Sequence, residues 1–278
     1  MNRVAPLTRV GQYLALLLYL VFLGYPLLWL ISLSLKGARE LASVNPSLIP
    51  HLVVWDNYRT ALTDQGLLHS ALNSLMTAVG ATLIVIVISV PAAYALTRFK
   101  TGIRTAATLW ILISQVFPTI LIVIPLFLIL KSIGLLDSLS GLTVVYVVWT
   151  LPFALWMLMG YMASVPADIE EAAAVDGAGR LRIIFSVVLP LLAPGIVATA
   201  MFSFISAWNE FFFALVLLQS TGKRTLALTL AKYVGSEGQL QLGPLAAGAV
   251  LATIPSLVFF VFLQKRLTGG LLAGAVKG

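Results

Sequence analysis

A chain of 278 residues with 60% hydrophobic and only 10% charged residues, at a mean hydropathy of +1.03, has too little polar surface to cover a water-soluble domain. Its net charge of +7 calls for no nucleic-acid partner, because basic residues flanking membrane spans and facing an anionic leaflet account for it. The absence of Cys excludes a disulfide framework and a thiolate metal site.

Backbone groups in lipid must bond within their own segment, and nothing here shows the alternation, over roughly ten residues, of an outer-membrane barrel strand. The expected fold class is therefore all-α integral membrane. A membrane helix takes roughly 20 mostly apolar residues, and windows of that length predict six spans, at residues 11–35, 72–97, 105–130, 140–162, 195–218 and 244–264. Arg3 and Arg9 precede the first span as they would a secretory signal. Its apolar run is too long for one, however, and Leu33, Ser34, Leu35 and Lys36 offer no small-x-small cleavage site, so a permanent helix is expected. An even number of spans puts both termini on one side. Arg98, Lys100 and Arg104 after the second span, and Lys265 and Arg266 after the last, lie against span ends, which predicts that this side is cytoplasmic.

In the first external connection, His51 and His69 stand too far from other ligand types to suggest a metal site. Within the third span Gln115 precedes Pro118 and Pro125, and a proline-kinked helix carrying an amide suits either a gate or plain packing. Trp29, Trp110, Trp149 and Trp156 are read as interfacial or core aromatics.

The cytoplasmic connection at 163–193 is the one polar, helix-forming insert. Ser164 can cap a short helix there, Pro166 suits its opening turn, and Asp168, Glu170 and Glu171 set negative charge at the positive end of the helix dipole. Gly177 is placed to end it. Ile169, Ala172, Ala173 and Val175 make a shallow apolar surface with little to insert into a bilayer, yet one that another protein's backbone can approach closely. A second, more apolar helical piece from Leu181 to Leu189 runs into Pro190 and Pro194 and is expected to pack back on the membrane domain. An ordinary amphipathic connection and a docking surface both fit these residues.

In the fifth span Glu210 stands beside Asn209. A carboxylate at that depth is costly, so it is either a lining or gate residue on a water-filled path or an end-of-helix group held by a partner. The external connection at 219–243 contains Thr221, Gly222, Lys223, Arg224 and Thr225, reminiscent of a phosphate loop. Leu217 stands where the leading Gly belongs and Arg224 where a hydroxyl residue is needed, so no nucleotide site is expected.

The spacing of the polar insert resembles the EAA loop of permease subunits in binding-protein-dependent ABC importers. Glu171, Ala172 and Ala173 are followed after three residues by Gly177 and after nine more by Val187, Leu189 and Pro190, with Val187 in a slot usually held by Ile. Asp176, Gly177 and Ala178, Asn73 with Ser74, Ala207 through Phe211, and the tail from Leu267 to Gly278 are similar to permeases of carbohydrate importers, in particular the second permease of maltose-type systems. The similarity covers essentially the whole chain.

That resemblance implies a single permease domain in a bacterial inner membrane, forming half of a sugar path beside a second permease. Two ATPase subunits would lie below it and a sugar-binding protein outside. The chain would be non-catalytic and bind no cofactor, ATP and Mg being used by the ATPase. Glu170, Glu171, Ala172, Ala173, Asp176, Gly177, Ala178, Leu189 and Pro190 would couple to the ATPase, and Gly274, Ala275, Val276, Lys277 and Gly278 of the tail would insert between its two copies. The 219–243 loop would reach the binding protein through Gly222, Lys223, Tyr233, Gly235 and Glu237, with Gln115, Asn209 and Glu210 as path or gate candidates. The alternatives are an ABC permease for a non-sugar solute such as a glycerol phosphodiester, or an ion-coupled secondary transporter. The latter would want several ionisable groups at the midplane, where only Glu210 is a candidate.

Overall fold

Long apolar runs without charges become long helices in the computed structural model, which describes residues 6–45, 47–63, 66–99, 102–234 and 240–275, with side chains between 9 and 264. In chain order they are α1 (Pro6–Ser34), α2 (Ala38–Leu41), α3 (Asp56–Thr63), α4 (Leu67–Arg98), α5 (Gly102–Val116), α6 (Thr119–Ser132) and α7 (Leu139–Ala163). There follow α8 (Ala167–Val175), α9 (Arg180–Ile183), α10 (Leu189–Trp208), α11 (Phe212–Leu217), α12 (Leu226–Leu230) and α13 (Leu242–Ala275). Among the described residues, five helical stretches are long and apolar enough to cross a membrane, or six if the bent pair α5 and α6 is one span. Two units divide the chain, residues 1–68 with 229–254 and residues 69–228 with 255–278.

In the first unit, the apolar side chains of α1 from Val10 to Leu28 are largely exposed on this chain, as suits a helix facing lipid or another membrane protein. Its C-terminal end is tied down by polar bonds. The Ser34 hydroxyl pairs with Tyr58 Oη at 2.8 Å, and the Asn57 amide donates to the carbonyls of Ser34 (2.9 Å) and Lys36 (2.8 Å). Buried Lys36 donates to the Ser47 carbonyl and lies 5.0 Å from the Trp29 ring centroid, so its charge is compensated by a dipole and a π-face.

In the second unit α10 packs along α7. The approach is close because Gly195 has no side chain: a Cβ there would stand 2.5 Å from the Tyr161 ring. At one end of α7, buried Ala93, Leu158, Met162, Ile183, Val188 and Leu192 form an apolar cluster. Farther along, Phe204 stacks on Phe259 at 4.2 Å between centroids, and Phe153 meets Phe202 at the same distance with the rings tilted by 38°.

Three segments differ from the sequence expectation. The stretch expected as a single third span is two helices, α5 and α6, bent by 103° at their junction, the geometry of a broken span or a re-entrant segment. Pro118 does more than kink it: proline disfavours helical geometry in the preceding Phe117, and its own ψ of 120° is extended, so α6 restarts after it. The fifth helix starts at Arg180 and stops at Trp208, which absorbs the separately expected piece from Leu181 to Leu189. A widened π-turn at Ile184–Val188 carries the helix into Pro190, whose missing N–H and ring bulk would conflict with a regular turn. Asn209, Glu210 and Phe211 then separate α10 from α11. Finally, the last helix continues past the expected end at 264 to Ala275, so the backbone at Gly274 and Ala275 is helical, while Val276, Lys277 and Gly278 lie outside the described residues.

Candidate functional site

The insert between α7 and α10 forms a short helix fixed at both ends and from behind. Pro166, in extended conformation, opens α8. Ser164 does not cap it: Ser164 closes α7 and its hydroxyl donates to the Tyr161 carbonyl at 2.7 Å, because Pro166 holds the chain extended between the two helices. At the other end Gly177 has φ +84°, with its N–H donating to the Ala174 carbonyl and that of Ala178 to the Ala173 carbonyl, each at 3.0 Å. This paired closure needs a residue in the left-handed region, which glycine enters without strain.

Glu170 turns inward. Its carboxylate accepts from Arg98 Nε at 2.6 Å and from Tyr94 Oη at 2.9 Å, while Arg98 Nη2 donates to the Val165 carbonyl at 2.9 Å. Ala173 and Ala178 rest against the apolar cluster, and Leu189 is partly buried. Outward stand Glu171, Ala172, Asp176, Gly177 and Pro190, together with Ile169 and Val175, the last 88% exposed. Glu170, Ala173 and Ala178 thus anchor the helix to its own chain, leaving a small apolar and acidic face free. Arg98, Tyr94 and Val165 were not singled out by the sequence, where Arg98 stood only as a charge beside a span end.

At the opposite end of α7, Asp137 (φ 52°) clasps the segment that follows α11. Its carboxylate accepts from the N–H groups of Gln219 (2.9 Å) and Ser220 (3.0 Å), from the Ser220 hydroxyl and from Lys223 Nζ (3.3 Å). The Gly222 carbonyl accepts from His69 Nε2 at 2.7 Å and Asn73 Nδ2 at 3.0 Å, and Ser74 Oγ accepts from the Leu226 N–H at 2.8 Å. Asn73 and Ser74 therefore pin this strap. Of the residues expected to meet a binding protein, Gly222 is exposed and Lys223 is engaged by Asp137. Tyr233 does not fit that expectation: it is 1% exposed because its ring is packed inside the first unit with its hydroxyl donating to the Ala61 carbonyl at 3.4 Å. Gly235 and Glu237 lie outside the described residues.

The Ser220 hydroxyl and the backbone N–H groups hold the Asp137 carboxyl well below its ordinary range. A depressed folded-state value gives stability that is complete above the ordinary carboxylate pKa and lost only as pH falls below it. Hydrogen exchange at Gln219 and Ser220, corrected for intrinsic rates, should therefore show constant protection from pH 7 to about 4. Asp137→Asn, which still tolerates positive φ but lacks the charge, should lose much of that protection throughout the range.

Of the path candidates, Asn209 is exposed and donates to the Ile205 carbonyl at 2.9 Å. Glu210, 8% exposed, accepts from the N–H groups of Phe213 (2.7 Å) and Ala214 (3.2 Å) and from Tyr146 Oη (2.9 Å). These are the bonds of an end-of-helix group that opens α11. Gln115 lines a cavity of about 200 Å³ at the break between α5 and α6, together with Thr119, Trp149, Phe153, Phe202 and Ser206. Among the described residues no cluster of three or more His, Cys, Asp or Glu could hold a metal ion.

Residues 86–271 match the family described as binding-protein-dependent transport system inner membrane component. The chain is 55% identical over 229 residues to the ORF1 protein of Streptomyces antibioticus, whose name places it among ABC transporter permeases, covering 82% of this chain and all of that one. It is 34% identical to the trehalose/maltose transport system permease MalG of Thermococcus litoralis, over 98% of each chain. Among solved structures it resembles a chain of a bacterial ABC transporter involved in import of the acidic polysaccharide alginate, with a TM-score of 0.77 and 25% identity over 95% of this chain and 99% of the other.

Proposed function

Since the chain belongs to the family of binding-protein-dependent transport system inner membrane components, we propose that it is one permease of an ATP-driven sugar importer and is coupled to its ATPase through α8. The observation that carries this proposal is the build of α8: a short helix with an exposed outward face, closed by Gly177 and tied behind that face to the end of α4. A partner pressing on the face would move α4, α7 and α10 together, because the Arg98–Glu170 pair and the apolar cluster join them. Rigid-body alternating access driven from outside the chain asks for such a lever and for no catalytic group in the permease itself.

In this proposal α8 and both termini face the cytoplasm, two ATPase subunits use ATP and Mg there, and a second permease completes the path. A sugar-binding protein docks outside near Gly222 and Lys223, and the helical end of α13 leads the tail toward the ATPases. Sugar as cargo is supported by the trehalose/maltose permease relative and by a membrane cleft that no charged side chain lines among the described residues. An ion-coupled mechanism is disfavoured by Glu210, whose carboxylate is committed to two backbone N–H groups and a tyrosine.

Purification in mild detergent should recover a second permease and an ATPase with this chain, and proteoliposomes holding the complex and its binding protein should accumulate labelled trehalose or maltose only with ATP. Transport by the chain alone, without any ATPase, would refute the proposal. Gly177→Leu, which forces a side chain into the left-handed region at a cost of about 1–2 kcal/mol, should leave the complex assembled but lower the uptake obtained per ATP. Unchanged uptake would remove α8 from the coupling role.

A further inference from the structure

We propose that the cleft at the break of the third span is a binding site for one uncharged sugar ring, so that this chain itself touches the cargo. The inference rests on the importer proposal above. Non-helical backbone at membrane depth is tolerated only where it is buried in protein or lines a water-filled cavity, and the 103° turn between α5 and α6 exposes such backbone at Phe117 and Pro118. Gln115, Thr119, Trp149, Thr150, Phe202 and Ser206 are among the residues that line the cavity.

The chemistry of this lining is selective. Trp149 is 41% exposed, and Phe153 and Phe202, with ring centroids 4.2 Å apart and planes tilted by 38°, line the same cavity. A pyranose has an apolar C–H face that covers aromatic rings and a rim of hydroxyls that needs neutral donors and acceptors. The Gln115 amide spends one N–H on the Ile111 carbonyl at 3.3 Å, and its oxygen has no partner among the described residues. The hydroxyls of Thr119 and Ser206 make no bond to another described side chain or backbone group, so three polar groups remain for a ligand rim. Among the described residues no Asp, Glu, Lys or Arg lines the cleft, so a phosphodiester or an acidic sugar would lose hydration there without a counter-charge. At about 200 Å³ the cavity is smaller than the ~300–1,000 Å³ of a site that engulfs a whole drug-sized ligand, which fits one ring of a longer sugar.

The test uses the complete complex in proteoliposomes with its binding protein, ATP, and labelled trehalose, maltose and glycerophosphoethanolamine as probes. Trp149→Ala and Gln115→Leu should each lower sugar moved per ATP by roughly tenfold, while Trp149→Phe keeps more than about half. Half-saturating sugar and binding-protein-stimulated ATP hydrolysis should stay within about twofold of wild type, because capture and coupling lie elsewhere. Retained uptake per ATP in Trp149→Ala, or uptake and hydrolysis falling in parallel, or a Phe variant as impaired as the Ala variant, would overturn the sugar site. A wild-type complex that moves only the phosphodiester would overturn the sugar class. One that moves nothing with ATP would instead remove the importer proposal beneath it.

Discussion

Arg98→Ala is expected to leave the permease inserted and assembled but to destabilise the seat of α8 by about 3 kcal/mol and to abolish most of the uptake obtained per ATP. The side chains of Arg98 and Glu170 are only 15% and 12% exposed, and Arg98 bonds both the carboxylate and the Val165 carbonyl. Truncation would strand a mostly buried carboxylate with Tyr94 as its remaining donor among the described residues and leave the Val165 carbonyl without its guanidinium partner, and a stranded buried charge costs more than the intact pair contributes. Arg98→Lys should recover only part of the loss, since an ammonium cannot reproduce the forked geometry that reaches two acceptors. Hydrogen exchange across α8 would report the loosened seat, and uptake with ATP hydrolysis measured in parallel would report the coupling. The double variant Arg98→Ala, Glu170→Ala should lose clearly less than the sum of the single losses, because it leaves no unpaired charge. Additive losses would show that the two residues act separately and that α8 is held by something else.

The same pair marks how far the sequence could be read. The closure of α8 at Gly177 was legible because it depends on local conformation and falls within one helical turn. The inward turn of Glu170 was not, because its partner lies 72 residues away and nothing in a run of two adjacent glutamates tells which one meets it. Pro118 announced a disturbance in the third span, but whether a proline bends a helix or ends it depends on what packs into the gap, and here that is a cleft shared with Trp149, Phe153 and Phe202. Trp149 looked like one more interfacial or core aromatic for that reason. Similarly, the apolar residues of α11 concealed the end of the fifth helix at Trp208, since hydropathy continues across Asn209 and Glu210 while the backbone does not. Asn73 and Ser74 were visible as a polar pair, yet their task of pinning residues 222–226 rests on bonds across about 150 residues of chain.

Glu210→Ala carries the second large expectation, a loss of about 3–5 kcal/mol in folding stability. The carboxylate bridges the break between α10 and α11: one oxygen accepts from the Phe213 N–H, the other from the Ala214 N–H and Tyr146 Oη. Phe213 and Ala214 are buried, as is Tyr146, so alanine would leave two helix-opening N–H groups and a hydroxyl without water to replace the lost acceptor. Phe213 also packs edge-on against Trp149 at 5.9 Å, so loosening α11 would disturb one wall of the cleft. Glu210→Gln keeps one acceptor oxygen and should lose less, about 1–2 kcal/mol. In detergent the midpoint of thermal unfolding should fall by roughly 10 °C for alanine and by a few degrees for glutamine, with any uptake defect tracking the amount of folded protein. An alanine variant that unfolds at the wild-type temperature yet transports poorly would reverse the assignment and put Glu210 on the path of the cargo.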